Sequence, residues 1–399
     1  MQSQQPLKIN FLVDSIGQAG TYFRFHNLAI GLTKLGHQVT IFAGDGDTNS
    51  KARTELRDQI PYHVLPSFPG QRYFSATNHP LNALRRALVD YPACDVAHVF
   101  QPFLSAGLPW QFSLKHKAKV RFYDWDDLWL GGVIATDVRP KQFVAKWQKY
   151  WISRIEQNFP AQADHVTTCS HFLAERAKQR QAKDVSIIHN GFWGFDVLDK
   201  ATARKNFGMQ PDALYVGFMG RTFASPDWCF EAIANNIERY PQLRFAICGI
   251  TTEILELMGE WQQVPDEVKA RVEMFGHIPS QKTREFSAAI DLGLLNLADT
   301  SFNQSRFPIK YAEYMATATP VLCSEVGECA MLSRSFPWVT LAGTTKSEWL
   351  VAFDQAVAAI ANGTMPKVDL DAIAAQLSWA EISKKLEQAY YQTLSHKSF

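Results

Sequence analysis

LYVGFMGRTFASPDW, residues 214–228, starts a structural pattern that the chain has already started once. A run of β-branched, aromatic and small apolar residues stops at Gly220, and a short turn follows. Ser225 and Pro226 then mark a helix as its N-cap and its first residue. Strand, glycine turn and helix is the opening of a parallel α/β unit. The same opening stands at the head of the chain, in KINFLV (8–13) followed by DSIGQAGTYF (14–23).

Each opening is followed by further strands separated by helical patterns. The first set is KINFLV, HQVTIFA (37–43), DVAHVF (95–100), AKVRFYD (118–124), DHVTTC (164–169) and VSIIH (185–189). The second is LYVGFMG (214–220), LRFAICG (243–249), VEMFG (272–276), LGLLNL (292–297) and PVLCS (320–324). The fold class expected is therefore α/β, with two Rossmann-like domains facing a central cleft, where ligands bind beyond the carboxyl ends of the strands. A glycine pair in HNGFWGFDVLD (189–199) breaks the pattern, which puts the first domain at 1–194 and the second at 195–376. The remainder, 377–399, carries an amphipathic helix, LSWAEISKKLEQAYYQTL (377–394), with Ser378 as its expected N-cap.

Composition supports two cores and excludes several functions. A chain of 399 residues with 46% hydrophobic content fills two domains of ordinary size. A net charge of +1 leaves no footprint for nucleic acid. Six cysteines without CxxC spacing read as reduced core residues of a cytoplasmic protein. MQSQQPLKINFLV (1–13) has no basic leader and too short an apolar run to span a membrane. The basic, aromatic stretch 139–159 reads as a helix packed through Phe143, Trp147, Tyr150 and Trp151. The alternative for it is a helix lying in an interface, a peripheral contact on the inner face of a membrane.

Three places carry chemistry. Gly17 and Gly20 sit between strand and helix, where backbone can approach a phosphate or simply make a tight turn. The GxGxxG spacing of a dinucleotide site is missing, although Asp45 follows the second strand, so NAD is not expected. Arg221 ends a strand and can make charge-assisted bonds to a phosphate, or be a solvated loop residue. In RFPIKYAEYMATATPVLC (306–323), Pro308 fits a first helical turn, and Lys310 and Glu313 share a face. A cation near free backbone N–H groups suits a diphosphate, and a carboxylate one turn on can accept from both hydroxyls of a ribose. The plainer alternative is an i,i+3 ion pair on a surface.

In order, GHQVT (36–40), ADHVTTCSHFLAE (163–175), VSIIHNGF (185–192), FMGR (218–221), YPQLRFAICG (240–249), FGHIP (275–279) and KYAEYMATATPV (310–321) resemble the retaining glycosyltransferases of the GT-B architecture, in particular the large fourth family. The resemblance implies that the second domain binds a UDP-, GDP- or dTDP-sugar and the first a carbohydrate or lipid-linked acceptor, and that the terminal helix crosses back to the first domain. It implies that Glu313 holds the ribose and that Arg221 and Lys310 hold the diphosphate, with Gly20, Ser305 and Ile309 completing the donor set. In FYDWDDLW (122–129) it implies acceptor residues at Asp124, Asp126 and Asp127, with Asp124, Arg221 and Lys310 as the catalytic set. No cofactor and no metal are implied. Two positions depart from the family pattern: Ser305 stands where a first glutamate is usual, and Asp227 where a lysine is. These departures keep two rivals in view, a noncatalytic sugar-nucleotide or glycan binder and a sugar-nucleotide epimerase.

Overall fold

The computed structural model describes residues 5–17, 20–47, 50–68, 79–130, 143–220 and 225–397. The chain divides into two compact units, Met1–Asn190 with Trp379–Phe399, and Gly191–Ser378. The junctions fall after Asn190 and after Ser378, where the sequence pattern had placed them at 194 and 376.

The first unit is built on eight strands: β1 (Lys8–Ser15), β2 (Gln38–Asp45), β3 (Arg53–Arg57), β4 (Ile60–Pro66), β5 (Cys94–Phe100), β6 (Ala118–Trp125), β7 (His165–Thr168) and β8 (Val185–Ile187). Their order is β3-β4-β2-β1-β5-β6-β7-β8, and β3 alone runs antiparallel to its neighbour. Strands buried on both faces give the near-continuous apolar runs visible in β1 and β5. The β3–β4 hairpin has no such run. RTELR is mostly charged and polar, IPYHVLP carries two prolines, and the turn rests on Asp58 and Gln59 at φ 48° and 65° instead of on a glycine.

The terminal helix Trp379–Lys397 belongs to this unit and buries Ile382, Leu386, Ala389 and Tyr390. It lies close against the helix Thr21–Lys34, because a Cβ at Gly31 would overlap Ser383. Three histidines bond to it: His37 to Glu387 at 2.8 Å, His98 to Tyr390 at 2.7 Å and His165 to Thr393 at 3.1 Å. The helix Phe143–Gln162 corrects an expectation. It buries Ile152, Ile155, Glu156 and Phe159; of the aromatic set expected to pack, Trp147 and Trp151 are half-buried, while Tyr150 is 52% exposed and stands off the packed face. The Phe143 side chain lies outside the described residues.

The second unit has six parallel strands: β9 (Leu214–Met219), β10 (Leu243–Cys248), β11 (Val272–Gly276), β12 (Leu292–Leu295), β13 (Val321–Ser324) and β14 (Val339–Ala342). Their order is β11-β10-β9-β12-β13-β14. Val216, Phe218, Phe245, Ile247, Leu294 and Trp349 are among its core residues. Only β14 lacked a sequence expectation; it is four residues long and half-buried at the sheet edge. Among the described residues, no helix is long and apolar enough to cross a membrane.

Candidate functional site

In a doubly wound sheet, connections leave in opposite directions at one point, and the loops there open a crevice beyond the strand ends. In the second unit that point lies between β9 and β12. Gly220 ends β9, and the loop after β12 leads to the helix Ile309–Met315. Two features seat this helix. The Tyr314 ring occupies the space where a Cβ at Gly293 of β12 would stand, and its hydroxyl accepts the Met219 N–H at 2.8 Å. The helix is thereby held against the end of β9.

That seating brings Lys310 and Glu313 to the strand ends, both half-buried. The Lys310 ammonium lies 4.6 Å from the centroid of the Phe218 ring and fills the space beside Gly220 that a side chain there would need. Burial draws Lys310 down to about 8; Arg306 adds to this and Glu313 opposes it. Burial pushes Glu313 up to about 7, against Lys310 and a Thr283 hydrogen bond. Burial and then the charge of Glu313 push the Cys248 thiol, at the end of β10, up to about 12. A cation and a carboxylate are thus kept partly desolvated next to a bare glycine backbone, a setting in which their interactions with a ligand strengthen.

The neighbouring expected residues behave differently. Ile309 opens the helix, half-buried. Ser305 is buried, and its hydroxyl donates to the Phe302 carbonyl at 2.7 Å, so this side chain faces the protein. Arg221 lies outside the described residues. Asp227, in the first turn of the helix Pro226–Asn236, pairs with Lys346 at 3.1 Å, and Lys346 also holds Glu231 at 2.6 Å. Ser225 occupies the N-cap position without a side-chain cap, because its backbone is left-handed, φ 46° and ψ 58°.

In the first unit the reversal lies between β1 and β5. Gly20, at φ 57°, starts the helix Thr21–Lys34 beyond β1, a backbone setting that favours glycine. Asp124 requires a correction. It is 0% exposed; Arg24 grips both oxygens, Nε and Nη2 at 2.8 Å each, and the Thr167 hydroxyl adds a bond at 2.6 Å. This is a buried structural ion pair and leaves no oxygen to meet an acceptor. Arg24 also donates to Ile188 O at 2.7 Å and Asn190 Oδ1 at 3.1 Å. Asp126 is nearly buried; it accepts the Thr21 hydroxyl at 2.6 Å, and Thr21 in turn accepts from Gln101, whose backbone is left-handed at φ 66°. Burial, with the charges of Asp127 and Asp124, holds the Asp126 carboxyl well above its ordinary range. Asp127 is half-buried. Arg24 and Gln101 were not singled out from the sequence. Only Arg24 left a signal, as a charge on the stripe of Tyr22, Phe25, Leu28 and Leu32 that faces the core.

Two α/β units, each with a reversal of strand order in a mainly parallel sheet, fit the GT-B architecture, and the solved structures agree on that fold. Sucrose-phosphate synthase of Thermosynechococcus elongatus superposes with TM-score 0.70 at 18% identity, over 98% of this chain and 100% of that one. Anabaena HepE in complex with UDP superposes with TM-score 0.65 at 16% identity, over 96% and 100%. The family models match in succession: Glycosyltransferase Family 4 over residues 20–192 and Glycosyl transferases group 1 over residues 210–366. The chain belongs to the group 1 glycosyltransferases. A curated relative, D-inositol 3-phosphate glycosyltransferase of Actinosynnema mirum, is 28% identical over 253 residues. The match covers 59% of this chain, and the chain spans 59% of that relative's length.

Proposed function

We propose that this protein transfers a sugar from a nucleotide-sugar donor to a hydroxyl of a glycan, glycolipid or other carbohydrate acceptor, with retention at the anomeric carbon. The observation that carries the reading is the Lys310–Glu313 pair, held half-desolvated at the β9 end beside Gly220. Lys310 neutralises the donor diphosphate, with Arg221 as the second cation that the resemblance implies, and Glu313 accepts from the ribose hydroxyls. Ile309 completes the donor set in the second unit through its backbone, a role that the buried side chain of Ser305 does not share. The donor C–O bond breaks toward the diphosphate while the acceptor oxygen bonds to the same face of the carbon, and its proton passes to the leaving phosphate. The protein's part is to orient the two reactants and to stabilise charge on the diphosphate. The donor is a UDP-, GDP- or dTDP-sugar; UDP is the ligand in the HepE structure.

The acceptor falls to the first unit, at Asp126 and Asp127. The enzyme works in the cytoplasm. A peripheral seat on a membrane is supported by the helix Phe143–Gln162, where Lys146, Tyr150 and Arg154 are exposed. A second reading, a noncatalytic sugar-nucleotide binder, is favoured by Asp227, whose carboxylate engages Lys346 where the family pattern has a lysine. Calorimetric titration with UDP-glucose, GDP-mannose and dTDP-glucose tests the donor site. One of the three is expected to bind wild type and to bind Glu313→Gln at least about tenfold more weakly, the worth of a charge-assisted hydrogen bond. Equal affinity of both proteins removes Glu313 from the site.

A further inference from the structure

Beyond β6 the chain turns through residues 125–130, the stretch that carries Asp126 and Asp127, and one buried carboxylate holds it. Glu156, on the helix Phe143–Gln162, is 2% exposed. One of its oxygens accepts the Trp125 indole N–H at 3.1 Å and the Trp129 amide at 2.9 Å, and the other accepts the Leu130 amide at 3.1 Å. Phe103 packs edge-on to the Trp129 ring with centroids 4.6 Å apart. The stretch is therefore fixed at both ends. Within it two buried polar atoms have no hydrogen-bond partner, Asp126 Oδ1 and Trp129 Nε1.

Unmatched buried polar atoms are rare in folded proteins and unfavourable. Here a carboxylate, itself disfavoured by burial, keeps two of them in place. One is an indole donor; the other is a carboxyl oxygen that accepts when ionised and donates when protonated. Hydroxyl groups, which do both, are the simplest ligand chemistry that satisfies the two. Resting on the transfer reading above, we propose that residues 125–130 recognise a hydroxyl-rich acceptor and that Glu156 is their positioning residue.

Burial raises Glu156 to about 7, opposed by the amides of Trp129 and Leu130, the Trp125 indole and the charge of Arg180. Glu156 in turn disfavours ionisation of Tyr123, which is buried near it. A protonated Glu156 keeps one good acceptor oxygen for three donors, so the hold on the stretch loosens as pH falls through that value.

The test uses the full chain, UDP-glucose, GDP-mannose and dTDP-glucose as donors, and inositol 3-phosphate, free hexoses and hexose phosphates as acceptors. Glu156→Gln retains one carbonyl oxygen and the buried volume. It is expected to raise the acceptor KM about tenfold while kcat and affinity for the nucleotide sugar that binds change less than about twofold. The wild-type acceptor KM should rise as pH is lowered through about 7, and in Glu156→Gln that dependence should vanish. Trp129→Phe, which keeps a ring and loses the donor, should raise the same KM. Unchanged acceptor KM in both variants overturns the proposal. Hydrogen exchange gives a readout independent of transfer: the Trp129 and Leu130 amides should exchange faster in Glu156→Gln, and equal protection overturns the positioning role. If the wild type transfers nothing to any of these acceptors, the transfer reading fails and the acceptor role with it, while the exchange result still decides Glu156.

Discussion

Asp124 and Glu313 are both carboxylates on apolar elements near strand ends, and their surroundings give them opposite uses. Asp124 is saturated by Arg24 and Thr167, so its charge is neutralised inside the fold. Removing one partner of such a pair leaves the other charge buried, and Asp124→Asn should therefore lower unfolding free energy by about 3–5 kcal/mol in a denaturant titration. A loss of acceptor use at unchanged stability would contradict this. Glu313 has only Lys310 and a Thr283 hydrogen bond to offset its burial, which is the setting proposed above for a ribose contact, and an acid on an otherwise buried helix face was visible in the sequence as a group that needs a partner. Asp124 was misread because its partner lies 100 residues away on the helix Thr21–Lys34, beyond what spacing can convey. Lys310 gives a pH test. Its folded-state value of about 8 means that the free site loses its positive charge above that pH, and a bound diphosphate would draw the proton back. Donor affinity should fall as pH rises from about 7 to 9, and Lys310→Ala should flatten the trend. A wild-type affinity independent of pH would place Lys310 away from the phosphates.

At the scale of elements, the terminal helix shows how much depends on groups that stay neutral. Burial lowers His98 to about 3 and His165 to about 4, from 6.5 when exposed. Between those limits the unfolded chain binds more protons than the folded one, so this contribution to stability is complete above 6.5 and is lost as pH falls toward 4 and 3. Glu156 and Glu313, raised to about 7 from 4.5, act in the other direction: their contribution is complete below 4.5 and is lost as pH rises through 7. Melting temperature should therefore fall on acidification below the carboxylate window, less steeply in His98→Phe than in wild type; parallel acid limbs would mean that His98 is already charged in the fold. Gly31→Val should loosen the same helix by about 1–3 kcal/mol, since the added atoms meet Ser383. Elements with continuous apolar runs, such as β1, β5 and β9, were legible because such runs have one physical use in an α/β sheet. The β3–β4 hairpin was illegible because its turn uses Asp58 and Gln59 in a conformation that neither residue advertises.

For the whole molecule, the second strand–glycine–helix opening at 214 was enough to give two units, and the terminal helix belongs with the first, as the family resemblance implied. The proposed reaction divides its work between the units: the second would hold the departing nucleotide and the first the acceptor. Charge on the leaving diphosphate would come from Lys310, Arg221 and backbone amides, so EDTA is expected to leave the rate unchanged, and its loss with recovery in Mg²⁺ or Mn²⁺ would show that a metal supplies that charge. The most direct measurement follows free nucleotide released from the nucleotide sugar that binds, with and without the acceptor panel, in wild type and in Lys310→Ala. Release is expected to depend on acceptor, with the anomeric configuration of the product retained, and the variant should lose more in kcat than in donor affinity. Donor that binds tightly, yet releases no nucleotide with any acceptor, would contradict transfer and leave a binding protein.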